Sequence, residues 1–263
     1  LKIRSSIMYK LLFFTSLLIC LNGSSQERIL KSELIEIKQS GQFILYYKKN
    51  KLSKKRPFNG IAYTQKEEKT YVEGVANGLA KEFNDDGLTI LEGDYKNGQK
   101  SGVWKKWDNN GDLVFEGNYN NGNASGFWRY FEGGRLHSEG NIKNLEGLNK
   151  EDGLWKYYDT KGRLWSERNY ENGEENGLRR EWHPNGELKY RGTHIGSMQN
   201  EICRWFYLNG ALKLEQIFDM GLKAGTWKGF YDNGNLKWEK VYKANSLVYE
   251  KCFDQAGIEI DCI

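Results

Sequence analysis

The chain has 263 residues, with 39 basic against 35 acidic side chains, 14% aromatic residues, 30 Gly and 2 Pro. That length fits one or two ordinary domains. Abundant glycine and aromatics with little proline suit many short strands joined by glycine turns.

The first segment reads as a targeting sequence. Leu11 to Leu21 is apolar, follows Lys10, and leads into the small residues Gly23, Ser24 and Ser25. A charged start, a short apolar run and a small-residue exit predict a secretory signal peptide over 1–25, cleaved before Gln26. Met8 is a candidate start, because the residues before it add nothing a signal requires. The apolar run is too short to span a bilayer as an uncleaved anchor. A second reading is a lipoprotein with Cys20 as its lipidated first residue, although the bulky Ile19 precedes it. Cleavage leaves 36 basic against 35 acidic side chains, so no electrostatic case exists for a nucleic-acid partner. An exported chain would meet an oxidising compartment. Its cysteines would then be Cys203, Cys252 and Cys262. Cys252 and Cys262 flank a glycine turn and are the candidate disulfide; Cys203 is expected to be a buried thiol.

A lead segment over 26–56 lacks the periodicity that follows. Its first part admits either a short helix or a lead-in strand. Phe43 to Tyr47 reads as an aromatic strand, and Lys48 to Arg56 as a basic, solvated loop with membrane-surface attraction as the sharper alternative.

From 57 to 245 the chain repeats. With Gly102 as position zero, Trp104 stands at two, Lys105 at three, Trp107 at five, Gly111 at nine, Leu113 at eleven, Glu116 at fourteen and Tyr119 at seventeen. The pattern recurs from Gly78, Gly126, Gly153, Gly177, Glu201 and Gly225, with successive starts 24, 24, 27, 24, 24 and 24 residues apart. A degenerate copy at Gly60 precedes them, so the repeat starting at Gly177 is the sixth. Periods of this length mark repeat arrays. Asn or Asp followed by Gly at positions seven to ten, and again at the end of most units, supplies the positive φ of tight hairpins. Each repeat is therefore a strand, a turn, a strand and a turn.

A turn at seven to ten sets residues whose positions sum to seventeen opposite one another. Position three is basic in every full repeat and position fourteen acidic in six. The opposed pairs are Lys81 with Glu92, Lys105 with Glu116, Arg129 with Glu139, Lys156 with Glu167, Arg204 with Glu215, and Lys228 with Glu239. Such cross-strand pairs contribute about 0.2–1 kcal/mol each and fix register more than they stabilise. The sixth repeat breaks the rule, with Arg180 facing Arg191, so Glu181 or a neighbouring repeat should compensate. Positions two and fifteen also oppose, which lays Trp104 over Gly117 and Trp128 over Gly140. Trp155 then meets Arg168 and Trp227 meets Lys240, as cation–π pairs. Strict alternation puts the leucines of position eleven (Leu113, Leu164, Leu188, Leu212, Leu236) on the tryptophan face. About sixteen strands at ~4.8 Å make an array of about 75 Å. Residues 246–263 are expected to form a C-terminal capping hairpin.

This spacing resembles the bacterial variant of the MORN repeat, G-x-W-x-x-Y-x-x-x-G-x-L-x-x-E-x-x-Y-x-N-G, and the YwqK-type antitoxin-like proteins built on it. The resemblance covers Gly60 to about Asn245. It implies an all-β fold: an elongated, single-layer antiparallel meander of about eight 24-residue hairpins that binds other proteins, or in some cases membrane lipid.

Catalysis is not expected. His137, His183 and His194 sit at or beside turns or in the Tyr slot, and no HExxH, CxxC, GxSxG or phosphate-loop spacing occurs. Each recurring Glu has its own base opposite, unlike a catalytic pair held in differing environments. No cofactor or metal is expected. Position two varies to Ala80, Arg179 and Cys203, so Trp104, Trp128, Trp155 and Trp227 are the candidate partner- or glycan-binding residues, against a core role. The expectation is an exported, non-catalytic scaffold that docks an unidentified protein partner at the cell envelope. The alternatives are a glycan or peptidoglycan surface protein and an antitoxin-like partner of a toxin.

Overall fold

A computed structural model describes residues 26–48 and 56–262. The signal peptide read over 1–25, Cys20 within it, and most of the basic run after Lys48 lie outside the described residues. The lead segment contains β1 (Arg28–Leu30), a short 3-10 turn, β2 (Leu34–Gln39) and β3 (Gln42–Tyr47), followed by β4 (Gly60–Tyr63) and β5 (Glu67–Val72). Each full repeat then gives two strands. These are β6 (Val75–Phe83) and β7 (Thr89–Lys96), β8 (Gln99–Trp107) and β9 (Leu113–Asn120), and β10 (Asn123–Glu132) and β11 (Arg135–Leu145). They continue as β12 (Leu148–Tyr158) and β13 (Leu164–Glu171), β14 (Glu174–Trp182) and β15 (Leu188–Ile195), and β16 (Met198–Phe206) and β17 (Leu212–Asp219). The last are β18 (Leu222–Phe230) and β19 (Leu236–Lys243), then β20 (Ser246–Phe253) and β21 (Glu259–Ile260).

From β4 onward each strand pairs antiparallel with the next, and β1 adds in parallel to β4, making one 19-stranded sheet. This is an elongated all-β meander. The separate β2–β3 hairpin docks on its first strands, where Leu34, Leu45, Phe58, Ala62 and Tyr71 form a buried cluster. The docking is tight: Leu45 N–H donates to the Gly74 carbonyl at 2.8 Å, and a side chain on Gly74 would strike Leu45 backbone. At the other end Cys252 and Cys262 are joined by a disulfide, with Cα atoms 5.2 Å apart.

Within each hairpin the sum-to-seventeen register holds from position zero to position four: Gly102 opposes Tyr119, Trp104 opposes Gly117 and Lys105 opposes Glu116. Beyond it a bulge intervenes. Lys106 pairs with Phe115 but Trp107 with Leu113, leaving Val114 at position twelve unpaired. The same residue is skipped in all seven full repeats. One extra residue reverses alternation beyond it. The leucines of position eleven therefore stand with the position-five aromatics on the charged face, and not on the tryptophan face as strict alternation predicted.

A second bulge marks each joint between repeats. Gly93's neighbour Glu92 pairs with Lys105, whereas Asp94 pairs with Ser101, so Gly102 and Val103 are extra. Position zero there adopts a left-handed φ, from 58° to 112° across the seven repeats, which explains the recurrent glycine. Glu201 occupies it at φ 58° with a side chain.

The tryptophans form a buried layer on one face of the sheet, the inner face. Trp104, Trp128, Trp155 and Trp227 are 2, 4, 3 and 6% exposed. Each indole N–H donates to the carbonyl of position sixteen in the preceding repeat: Asp94, Asn118, Asn141 and Ile217, at 2.8–3.2 Å. Accordingly, for Trp104, Trp128 and Trp155 the indole covers the glycine of the preceding repeat, not the residue opposite it in its own hairpin. A Cβ on Gly93 would lie 2.3 Å from Trp104, one on Gly117 2.0 Å from Trp128, and one on Gly140 2.4 Å from Trp155. The tryptophan is thus a bolt between repeats. Tyr95 and Tyr119 meet Trp104 edge-on, and the Lys100 ammonium stands 4.1 Å above its ring.

Candidate functional site

The burial of Trp104, Trp128, Trp155 and Trp227 corrects their assignment as a recognition stripe. Their rings are enclosed by neighbouring repeats, so no sugar or partner can stack on them. The expected cation–π pairs also differ. Arg168 lies over Tyr157 and Trp165 rather than Trp155, and Trp227 is faced by Lys223 rather than Lys240. Position two opposes position fifteen both within its hairpin and across the joint, as Trp128 opposes Gly140 and Gly117, and the indole packs over the residue across the joint.

In the sixth repeat the tryptophan layer becomes polar. Arg179 replaces the indole and Arg168 the glycine beneath it. Glu175 accepts from both, at 2.9 Å from Arg168 and 3.2 Å from Arg179, and Arg179 also bonds Glu181. Lys189 reaches the other oxygen of Glu181 at 3.2 Å. Burial opposes the charge on Glu181, yet its bonds to Arg179 and Lys189 hold its carboxyl below the usual range. His194 is 5% exposed, and its Nδ1 is buried without a hydrogen-bond partner among the described residues. Its Nε2 is 3.9 Å from Glu175. Burial drives its pKa below the usual histidine value, Arg179 and Arg168 push the same way, and Glu175 and Glu181 oppose them. Nearby, Cys203 is fully buried, accepts a hydrogen bond from the Tyr190 hydroxyl at 3.3 Å, and has its thiol pushed up by burial. This layer is internally satisfied except at His194.

The outer face has a different organisation. Each acid of position fourteen sits between two bases, one within its hairpin and one in the next repeat. Glu116 opposes both Lys105 and Arg129, and Glu139 opposes both Arg129 and Lys156. The result is one rung of alternating charge that crosses the sheet from Lys81 onward. Ion pairs close at Lys81–Glu92 (3.0 Å), Lys105–Glu116 (3.7 Å), Arg129–Glu139 (3.2 Å), Arg204–Glu215 (2.7 Å) and Lys228–Glu239 (3.8 Å). Lys156 and Glu167 are opposed, but Glu167 turns to Arg180 of the next repeat at 3.1 Å. That contact is the compensation the sixth repeat requires; Glu181 is committed to the inner face.

Alternation fails at one place on this rung. Arg180, Arg191 and Arg204 stand side by side on three consecutive strands. The outer two lean away to Glu167 and Glu215. Arg191, between them, is exposed and has no carboxylate within ion-pair distance among the described residues. An open groove of about 430 Å³ lies here, lined by Leu178, Arg191, Gly192, Thr193, Glu201, Ile202 and Arg204.

Position one adds an apolar row. Leu79, Val103, Phe127, Leu154 and Ile202 are exposed, Val103 by 57% and Phe127 by 48%, with Leu178 in line. They share the face of position three, as the Arg129 guanidinium 5.4 Å over the Phe127 ring shows. The signal was present: six of seven repeats carry an apolar residue there. Among the described residues no cluster of three or more His, Cys, Asp or Glu could hold a metal ion.

The MORN repeat variant family matches residues 100–121, 151–172, 175–195 and 223–244. Every match begins two residues before a position zero, in phase with the hairpins above. No curated protein matches the chain. Hairpin spacing, the strand-by-strand register and these matches agree: the chain carries repeats of the MORN variant.

Proposed function

We propose that this protein is an exported, non-catalytic scaffold that docks a partner protein at the cell envelope through the outer face of its sheet. The observation that carries this reading is the division between faces. The inner aromatics are consumed in joining repeats, whereas the outer face keeps an exposed apolar row beside a charged rung over many repeats. Apolar anchors rimmed by polar groups are the usual anatomy of a protein interface. Along the rung each acid faces bases and not a second acid, which supports a non-catalytic reading. Export is supported by the apolar Leu11 to Leu21 run and by the Cys252–Cys262 disulfide, a bond that persists in oxidising compartments.

Affinity capture from envelope extract with the mature protein tests this: one stoichiometric partner is expected, and reproducible absence of any overturns the reading. N-terminal sequencing after fractionation tests export, with a start at Gln26 expected and an intact N-terminus in the cytoplasm contradicting it.

A further inference from the structure

We infer that the groove around Arg191 receives an acidic side chain of the docked partner, set between apolar residues of the same extended segment. The inference rests on the scaffold reading and gives its contact a location. The rung alternates base and acid from Lys81 to Arg180, then presents Arg180, Arg191 and Arg204 in succession before resuming at Glu215. Neighbouring strands lie about 4.8 Å apart, so like charges directly opposite one another destabilise the sheet. Arg180 and Arg204 each recover a carboxylate of their own, at 3.1 and 2.7 Å. Arg191 recovers none. A carboxylate placed over it would restore the alternation that the chain itself breaks. The guanidinium fork suits a carboxylate bidentately.

The surroundings select the kind of ligand. Leu178 and Ile202, both at position one, flank Arg191 on the neighbouring strands and line the same groove. Glu201 lines it too, without forming an ion pair with Arg191. The groove therefore offers an anion contact with an apolar residue to either side, which matches a short segment alternating acidic and apolar residues. An anionic membrane fits less well. Polybasic lipid contacts draw about 1 kcal/mol from each free base near the surface and use four to eight of them; of the two bases among the described residues lining this groove, Arg191 is free and Arg204 is paired with Glu215.

Replacing Arg191 by Glu separates a binding role from a structural one, because the two predict opposite signs. Arg191→Glu places an acid between Arg180 and Arg204 and should raise the melting temperature. It should also weaken binding of a fluorescein-labelled Leu-Glu-Leu-Glu-Leu-Glu-Leu peptide, read by anisotropy, at least about tenfold. Lys105→Glu makes the same charge change three repeats away and should alter peptide affinity less than about twofold. Unchanged peptide binding by Arg191→Glu, or equal loss in both variants, overturns the inference. Vesicles of phosphatidylglycerol that bind in an Arg191-dependent way while the peptide does not bind would make a lipid the occupant and also overturn it. The envelope partner distinguishes the two readings. A partner captured equally by wild type and Arg191→Glu removes this inference and leaves the scaffold standing, whereas no partner captured by wild type removes the scaffold.

Discussion

Gly117→Ala isolates the joint between repeats. Gly117 lies in extended backbone, where alanine carries no conformational penalty and reduces the entropy of the unfolded chain. By backbone preference alone the substitution should be neutral or mildly stabilising. Its new methyl, however, would sit 2.0, 2.3 and 2.4 Å from Cδ2, Cε2 and Cε3 of Trp128. Carbon atoms pack at 3.5–4.0 Å, so the indole must move by more than an ångström. Overpacking of this kind costs about 1–3 kcal/mol. The displaced ring also loses its 3.2 Å bond to the Asn118 carbonyl, worth about 0.5–1.5 kcal/mol. The expected loss is about 2–4 kcal/mol in chemical denaturation. The decisive assay is a pair of double-mutant cycles. Trp128→Leu frees the space and should make Gly117→Ala several-fold cheaper, a coupling of more than about 1 kcal/mol. Trp104→Leu, which removes the tryptophan opposite Gly117 in register, should leave the cost nearly unchanged. Coupling to Trp104 instead of Trp128 would refute the interlocked joint.

Three further outcomes follow from the same geometry. Glu201→Gly relieves a side chain held at φ 58° and should stabilise the protein by about 0.5–1 kcal/mol, read as a higher denaturation midpoint. Glu116 pairs with both Lys105, at 3.7 Å, and Arg129, at 2.9 Å, whereas Lys105 pairs with Glu116 alone among the described residues, so Glu116→Ala should cost more than Lys105→Ala, by a few tenths to about 1 kcal/mol at low salt; equal costs would mean that the pair across the joint contributes nothing. His194 has a folded-state pKa below the 6.5 of the exposed side chain, so the unfolded chain binds the extra proton first. Its contribution to stability is present above pH 6.5 and lost as pH falls through that value toward the depressed native pKa. His194→Gln should flatten that part of the stability–pH curve, and an unchanged slope would contradict the assignment.

The hairpins and most of their register were legible in the sequence, because opposite charges at positions three and fourteen are a check independent of the turn signal. Two backbone features were not. The bulge at position twelve is occupied by Ile90, Val114, His137, Trp165, Lys189, Lys213 and Lys237, which follow no one residue type across the repeats. Nothing in those residues announces that alternation reverses there, and strict alternation therefore places the leucines of position eleven on the wrong face. The bulge at positions zero and one was signalled by the recurrent glycine, but a glycine also fits a turn, and the consequence for Trp128 depends on which glycine its ring meets. The clustering of Arg168, Glu175, Arg179 and His194 spans two repeats through that same joint, and position arithmetic within one hairpin could not reach it. Arg191, by contrast, stood out as a like-charge exception at once; only the escape of Arg180 to Glu167 and of Arg204 to Glu215 needed coordinates.

The central claim is that the tryptophan face is consumed in joining repeats while the position-one face is left to partners. Hydroxyl-radical footprinting of the folded protein, read by mass spectrometry, tests it directly. Tryptophan reacts faster with hydroxyl radicals than valine or leucine, so protection of Trp104, Trp128, Trp155 and Trp227 together with labelling of Val103, Phe127 and Leu154 is the predicted pattern. Labelled tryptophans beside protected position-one residues would contradict it.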